Sequence, residues 1–510
     1  EPARDRSRTL DAWELRERHE AAWQERWSDS DVVVEGDPVA QRGLRFALYH
    51  LISAGNPETD RVSIGARGLT GLGYKGHVFW DTDVFMVPFF IYTHPATARA
   101  LLAYRYRTLP AARARAQSYG CRGALFAWES ADTGEDCTPP EIPGPGGTMI
   151  PVFTGEQEVH IAADVALATW EYWCATGDED FLLQMGTEII LETAKFWASK
   201  AWEGNDKRFH IDKVVGPDEY HENVNDNAFT NVMARWNLQR GLEVVDLVRD
   251  RYPAEWTRLG KLAGVDDNDL ESWEKVALGL VDQFDPQSLL YEEFSGFFRL
   301  EEVDVTHAAP RPFSGEEVFG WQRMRSMQVV KQADVVMMLH LLRDGVTPEV
   351  AAANYRYYEP RTTHGSSLSA AIYGALAARA GLLDDAVAYF RMAANTDLES
   401  KAGFSAKGVH MATAGGLWQA AVMGFGGLVH DPDHLTLDPL LPAAWKRLKF
   451  PIRSRGAKVV VDIEPERVTV TLDGPAAIAL ARRPAASLDA GNYVATKRDG
   501  GWSALERVEQ

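Results

Sequence analysis

The sequence predicts a mainly helical fold: an (α/α)6 barrel over residues 36–435, preceded by a helical linker over 1–35 and followed by a small β domain over 436–510. Three observations predict it. About a dozen helical stretches follow one another, short and long connections alternate between them, and the tail changes to alternating apolar and polar residues. The linker helix, 8–28, mixes Leu10, Trp13, Leu15, Ala22 and Trp27 with Arg and Glu, the pattern of a polar amphipathic helix. The barrel candidates are 37–54, 79–91, 95–117, 155–176, 179–203, 228–252, 268–284, 328–344, 347–357, 367–380, 383–397 and 414–428. Their ends carry punctuation: Pro95 at a start, Asp178 ahead of an apolar run, and Gly177, Gly345 and Gly381 just past ends. Pro110 is expected to break or kink the third. In such a barrel the inner helices point one set of ends at a shared cavity. The connections 118–154, 204–227 and 285–327 are too long to be idle, and the Pro/Gly stretch 138–151 reads as a rim or lid. In the tail, Val459, Val461 and Ile463, then Val468, Val470 and Leu472, alternate as strands with one buried face do.

Composition excludes several classes of partner. With 53 Lys+Arg against 73 Asp+Glu the net charge is −20, unlike the basic footprint of a nucleic-acid or anionic-membrane binder. An anionic ligand needs a local positive pocket against that field. The 3 cysteines, Cys121, Cys137 and Cys174, are too few for a disulfide framework and suit a reducing compartment. No long apolar run and no signal-peptide pattern is present, so the expected location is cytoplasmic. The sequence begins without Met, as though an upstream part were missing.

Four clusters could carry chemistry. Gly216-Pro217-Asp218-Glu219-Tyr220-His221-Glu222-Asn223 lies in a connection just before a long helix. Carboxylates held by a Gly-Pro turn suit a general acid, since neighbouring charge and partial burial raise one carboxyl group's pKa. A solvated acidic loop, or a capping network for the next helix, explains the same residues. A metal site is disfavoured because Asp218, His221 and Glu222 lack the spaced His pair of a zinc motif. Trp80-Asp81 and Trp128-Glu129, each in or beside a long connection, pair a ring that can stack on a sugar face with a carboxylate for its hydroxyls. With 16 Trp in the chain, most must be core. His364-Gly365-Ser366-Ser367, directly before an Ala-rich helix, offers free N–H groups and a helix dipole to an anion, or ordinary Ser capping. His410 stands near a second small-residue helix start, and Lys331-Gln332-Ala333-Asp334 puts a cation and an amide on an otherwise apolar helix, where they need polar partners.

Together GHVFWDTD, WES, TGEQE, GPDEYHENVNDNAFTN, KQAD, THGSSLS and GVHMATAGG resemble, in the same order, the family 65 glycoside phosphorylases and hydrolases, which include maltose, trehalose, kojibiose and nigerose phosphorylases. The resemblance runs from about 10 to 460. It implies an N-terminal β-sandwich, a helical linker, an (α/α)6 barrel and a small C-terminal β domain. This chain starts at the linker, so the sandwich is absent or on a separate piece, and a homodimer is expected. The resemblance makes Glu219 the general acid. It makes Trp80, Asp81, Trp128, Glu129, Thr154, Lys331 and Gln332 substrate-binding, and His364, Gly365, Ser366, Ser367 and His410 phosphate-binding. No metal or cofactor is implied; inorganic phosphate is a co-substrate. Asp83 stands where Glu is commoner, and Ser405-Ala406-Lys407 replaces a stretch that often carries an acid.

The expected chemistry is inverting. Glu219 protonates the glycosidic oxygen while a nucleophile attacks the anomeric carbon from the opposite face. Residues 363–369 carry no carboxylate, which favours phosphate as nucleophile, yielding β-glucose 1-phosphate and a free acceptor. The alternatives are an inverting α-glucoside hydrolase with Glu359 as base, and an inactive carbohydrate-binding paralogue.

Overall fold

The computed structural model describes residues 11–144, 147–399, 404–498 and 501–509. Residues 1–10 of the expected linker and two residues of the 138–151 rim stretch lie outside the described residues. Helix α1 (Ala12–Ser28) is polar enough to bury none of its residues. Strand β1 (Val33–Glu35) follows.

Twelve of the described helices then alternate between an outer and an inner ring. They are α2 (Pro38–Ala54), α3 (Val87–Thr93), α4 (Pro95–Arg107), α5 (Ile161–Thr176), α6 (Thr187–Lys200), α7 (Ala228–Arg251), α8 (Asp267–Gly279), α9 (Val335–Leu341), α10 (Pro348–Tyr358), α11 (Ser369–Arg379), α12 (Leu383–Asn395) and α13 (Met411–Gln419). The inner ring closes on itself: α3 packs on α5, α5 on α7, α7 on α9, α9 on α11, α11 on α13, and α13 back on α3. Most inner helices are buried nearly all round, as in α9, where every residue is buried, whereas the longer α7 keeps Gln239, Asp246 and Asp250 exposed. Outer helices keep one wet face. In α2 the buried residues Ala40, Gly43, Leu44, Ala47, Leu48 and Leu51 recur at helical spacing, behind an Asp37 cap that accepts from the N–H groups of Val39 and Ala40.

Three connections from inner to outer helices are short, His94 between α3 and α4, 342–347 between α9 and α10 and 380–382 between α11 and α12, while 177–186 and 252–266 are longer and carry helical turns of their own. Connections from outer to inner helices are long: 55–81, 108–160, 201–227, 280–334, 359–368 and 396–410. All six therefore deliver their residues to the N-terminal ends of the inner helices. The expected 95–117 helix is interrupted at Thr108, next to Pro110.

Three expectations are corrected. The 328–344 segment is helical only from Val335; Val330 instead pairs as a single β-bridge with Thr362, and the KQAD stretch that follows is a bent, non-helical connection. A helix at Pro253–Ala263 lies where none was expected. Strands begin ahead of 436, with β2 (Leu428–His430) and β3 (Leu435–Leu437). The other strands of the C-terminal domain are β4 (Arg447–Ser454), β5 (Ala457–Glu464), β6 (Arg467–Leu472), β7 (Ala476–Leu480), β8 (Ala486–Leu488), β9 (Gly491–Arg498), β10 (Gly501–Trp502) and β11 (Glu506–Val508). One sheet runs β1-β4-β5-β6-β9-β10, with β11 also on β9; a second runs β8-β7-β3-β2. The register sets Val461 opposite Phe450 and Val470, all three buried. Through β1 the segment ahead of the barrel is stitched into the C-terminal sheet. Among the described residues no helix is long and apolar enough to cross a membrane.

Candidate active site

The 216–223 turn sits between the cap of α7 and the bent 330–334 segment. Asn227 caps α7 through the N–H of Thr230 and donates from Nδ2 to Asp334, whose Oδ2 also accepts from the N–H of Asp218 at 3.1 Å. Asp218 in turn accepts from the N–H groups of Tyr220 and Lys331 and from His221 Nδ1. Gln332 is 1% exposed and donates from Nε2 to the carbonyl of Pro217 at 2.6 Å. It holds the turn from behind, a different place from the substrate-facing one expected of it. This buried frame projects Glu219 toward the mouth, where Lys331 Nζ lies 3.0 Å from Oε2 and both side chains keep about a quarter of their surface open, 24% and 23%. No described residue bonds to Glu219 Oε1.

Asp81 lies across from this pair. Burial pushes its carboxyl up to about 7; the negative charges of Glu219 and Asp83 add to the rise and Arg67 opposes it. Arg67 is a cation that the motifs do not contain. Its Nη1 donates to the carbonyl of Gly408 and to His410 Nε2 at 2.5 Å, and its guanidinium lies 5.7 Å from the Tyr74 ring. Because Arg67 donates to Nε2, His410 carries its proton on Nδ1, which donates to Asp397 Oδ1 at 2.8 Å. Sequence reasoning missed Arg67 because its neighbours come from the folding of 65–76 onto 407–411, where Gly71 meets Lys407 and Gly408 at a distance no Cβ permits.

The two Trp-acid dipeptides lie side by side, since Val78 and Ser130 exchange N–H···O bonds in a β-bridge. Their rings differ. Trp80 is 1% exposed and packs on His160, Phe85 and Phe229, so its ring belongs to the core and not to a sugar platform. Trp128 is less enclosed, at 8% exposed, with its ring edge-on to Phe79, and Glu129 accepts from His77 Nδ1 at 2.6 Å. Thr154, half-buried, opens the short helix Thr154–Gln157, whose Gln157 side chain accepts from the N–H of Asn223.

The 359–369 turn leans on the same 330–334 segment. Thr363 N–H donates to the Val330 carbonyl, and Gly365 N–H donates to the Lys331 carbonyl at 3.1 Å. His364 is buried, and both ring nitrogens are engaged, Nδ1 with Ser369 Oγ at 2.8 Å and Nε2 with Tyr389 OH at 2.9 Å. Burial, with Arg311 nearby, holds its pKa well down, so the ring is neutral. The expectation that His364 presents its ring to an anion is corrected: the ring faces inward. Gly365, Ser366 and Ser367 stay at the surface of the mouth, and no described group accepts from the N–H groups of Ser366 or Ser367. Glu359 accepts from Arg311 at 2.5 Å and from Tyr389 OH at 2.6 Å.

Behind the mouth lies a layer of buried charge. Asp83 pairs with Arg105, both 2% exposed, so Asp83 serves the core. His160 lies between Glu158 and Asp164; against its burial those two carboxylates raise its pKa to about 10. Asp218, His221 and Glu293 set ligand-type atoms within 4.8 Å of one another. His221 is already committed to Asp218 and to the Met327 carbonyl, and burial together with the charges of Asp218 and Asp334 raises the pKa of Glu293 well above the usual carboxylate range.

Fold and mouth together define the class: an (α/α)6 catalytic domain with a small β domain attached. The sequence profile of the glycosyl hydrolase family 65 central catalytic domain matches residues 45–419, and that of the family's C-terminal domain matches 428–484. The chain belongs to glycosyl hydrolase family 65. It is 40% identical over 471 residues to a kojibiose phosphorylase of Halothermothrix orenii, covering 92% of this chain and 60% of that protein. It is 42% identical to a kojibiose phosphorylase of Caldanaerobacter subterraneus, covering 89% of this chain and 59% of that one. An alpha,alpha-trehalose phosphorylase of Thermoanaerobacter brockii is 36% identical, with 88% and 56% covered. The chain thus spans about 60% of the length of the curated relatives it matches. A solved structure described as "Putative kojibiose phosphorylase from human microbiome" superposes with a TM-score of 0.86 at 27% identity, covering 96% of this chain and 70% of that one.

Proposed function

We propose that the chain carries the catalytic barrel of an inverting phosphorylase that acts on an α-glucosidic disaccharide, with kojibiose the first to test because the relatives of highest identity bear that name. Glu219 is the acid. Its Oε2 is engaged by Lys331, leaving Oε1 as the atom from which, once the group is protonated, a proton passes to the glycosidic oxygen as the bond to the anomeric carbon breaks. Phosphate attacks that carbon from the opposite face, and β-glucose 1-phosphate and the free acceptor leave. Asp81, Trp128 and Glu129 hold the glucosyl unit. Gly365, Ser366, Ser367 and His410 hold phosphate, with Arg67 supplying the local positive charge.

The observation that carries this reading is the 363–369 turn. It is tied to the carbonyl of Lys331, ends at the N-terminus of α11, leaves two N–H groups without a protein acceptor, and contains no carboxylate. Glu359, the acid weighed as an alternative base, is occupied by Arg311 and Tyr389, which argues against its serving as a hydrolytic base. The test is incubation with kojibiose with and without phosphate. Glucose 1-phosphate formed only with phosphate is the expected result, and glucose released equally without it would overturn the reading.

A further inference from the structure

The connection that ends at α11 contains a left-handed residue that is not glycine: His364 has φ +52°. L side chains rarely adopt that conformation, so something must hold it. What holds it is a chain of hydrogen bonds reaching away from the mouth. Arg311 donates from Nη1 to the Glu359 and Thr362 carbonyls and from Nη2 to Glu359 Oε1. Tyr389, on α12, donates its hydroxyl proton to the same Oε1. The phenol oxygen is then left to accept, so His364 donates to it from Nε2, and His364 Nδ1 accepts from the hydroxyl of Ser369, the first residue of α11. Each group fixes the proton position of the next. Tyr373 closes the ring's other side edge-on at 4.8 Å, and its hydroxyl bonds to Thr362 Oγ1 at 2.6 Å.

We infer that Glu359 and Tyr389 are positioning residues: through the His364 ring they fix the 364–367 turn, so that its free N–H groups are aimed into the mouth before phosphate arrives. The inference rests on the phosphorolytic reading above. It assigns Glu359 a role opposed to that of a base, because its carboxylate orients a phenol and does not meet the substrate. It also makes a residue of the outer ring, remote from the sugar, selective for one of two substrates. A turn freed from this relay samples other conformations and binds the anion less often, while Asp81, Trp128 and Glu219 stand on other connections and are untouched.

The test measures initial rates of the wild type, Tyr389→Phe and Glu359→Gln against phosphate and against kojibiose separately, with thermal melts to confirm folding. Tyr389→Phe should raise the KM for phosphate about tenfold and leave kcat and the KM for the sugar within about twofold. Glu359→Gln, which keeps an acceptor for Tyr389, should move in the same direction by about threefold, and it decides the matter if Tyr389→Phe does not fold. An unchanged KM for phosphate in a folded variant, or equal losses for both substrates, would overturn the inference. If the wild type neither needs nor binds phosphate, the functional reading itself fails and the relay's role falls with it.

Discussion

Lys331 Nζ lies 3.0 Å from Oε2 of Glu219, and the backbone of the same lysine bonds to Asp218 on one side and Gly365 on the other. One residue thus joins the proposed acid to the proposed anion turn. Glu219→Gln keeps an oxygen for Lys331 and loses the transferable proton. Turnover should fall by about 10²–10⁴, while sugar binding, read by titration calorimetry, should persist. Wild-type turnover in that variant would remove Glu219 from the acid's role.

Lys331→Met separates the side chain from the backbone. The N–H and carbonyl links to Asp218 and Gly365 remain available, so the fold should hold, but the carboxyl group of Glu219 loses its tether. A fall in kcat on the order of 10²-fold is expected, with the thermal midpoint nearly unchanged. A large drop in the midpoint would show that the lysine serves stability more than orientation.

Asp81 gives a pH dependence whose sign can be worked out. Its native pKa, about 7, lies above the ordinary aspartate value of 3.8. The stability attached to its protonated form is therefore complete below the unfolded value and is lost as pH rises to about 7 and beyond. Asp81→Asn removes the ionisation. It should stabilise the protein relative to wild type at pH 8, on the order of 1–4 kcal/mol, with little difference near pH 4, and activity should be lost. Melting curves at the two pH values check this, and an equal effect at both would refute it.

Much of this site can be read in the sequence because its residues cluster in connections, where glycines, acids and hydroxyls stand out from apolar helices. The arrangement of connections was legible too: alternating lengths put the long ones at one end of the inner ring. Three features were not legible. Trp80 and Trp128 sit in similar dipeptides, and no local rule says that Phe229 and His160 will enclose the first. In 328–344 the apolar residues on either side of KQAD give no period that separates the bent connection, with its bridge at Val330, from the buried helix that starts at Val335. The inward turn of His364 depends on Tyr389, contributed by the next outer helix, and Arg67 depends on a loop packed against residues from the far end of the barrel sequence.

The Asp83–Arg105 pair offers a test of stability separate from chemistry. Arg105 Nη2 lies 2.5 Å from Asp83 Oδ2 and also donates to the Phe79 carbonyl, all within the core. Arg105→Met leaves a buried carboxylate without its partner and should destabilise the protein by about 3–5 kcal/mol in urea unfolding. The double variant Arg105→Met with Asp83→Leu should recover part of that loss, since two apolar groups leave no charge unpaired. A double variant no more stable than the single one would mean that the pair shapes the local backbone.

Gly216 tests whether the buried frame sets the acid's position. Its backbone is of ordinary sign, so conformational freedom is not what demands glycine there. Space is the constraint: a Cβ would come within 3.0 Å of both Asn227 Nδ2 and Asp334 Oδ2. Neither atom can easily withdraw. The Asn227 side chain caps α7 and Asp334 accepts from the N–H of Asp218, with both residues buried. Gly216→Ala must therefore push the turn outward, carrying Glu219 away from Lys331. The expected cost is about 1–3 kcal/mol of stability together with a loss of about 10²-fold in kcat, because a displacement near 1 Å is enough to spoil proton transfer. Lys331→Met should then cost little further activity on the Gly216→Ala background, since the contact it removes is already broken. Full additivity of the two losses would place the effect of Gly216 outside the Glu219–Lys331 pair.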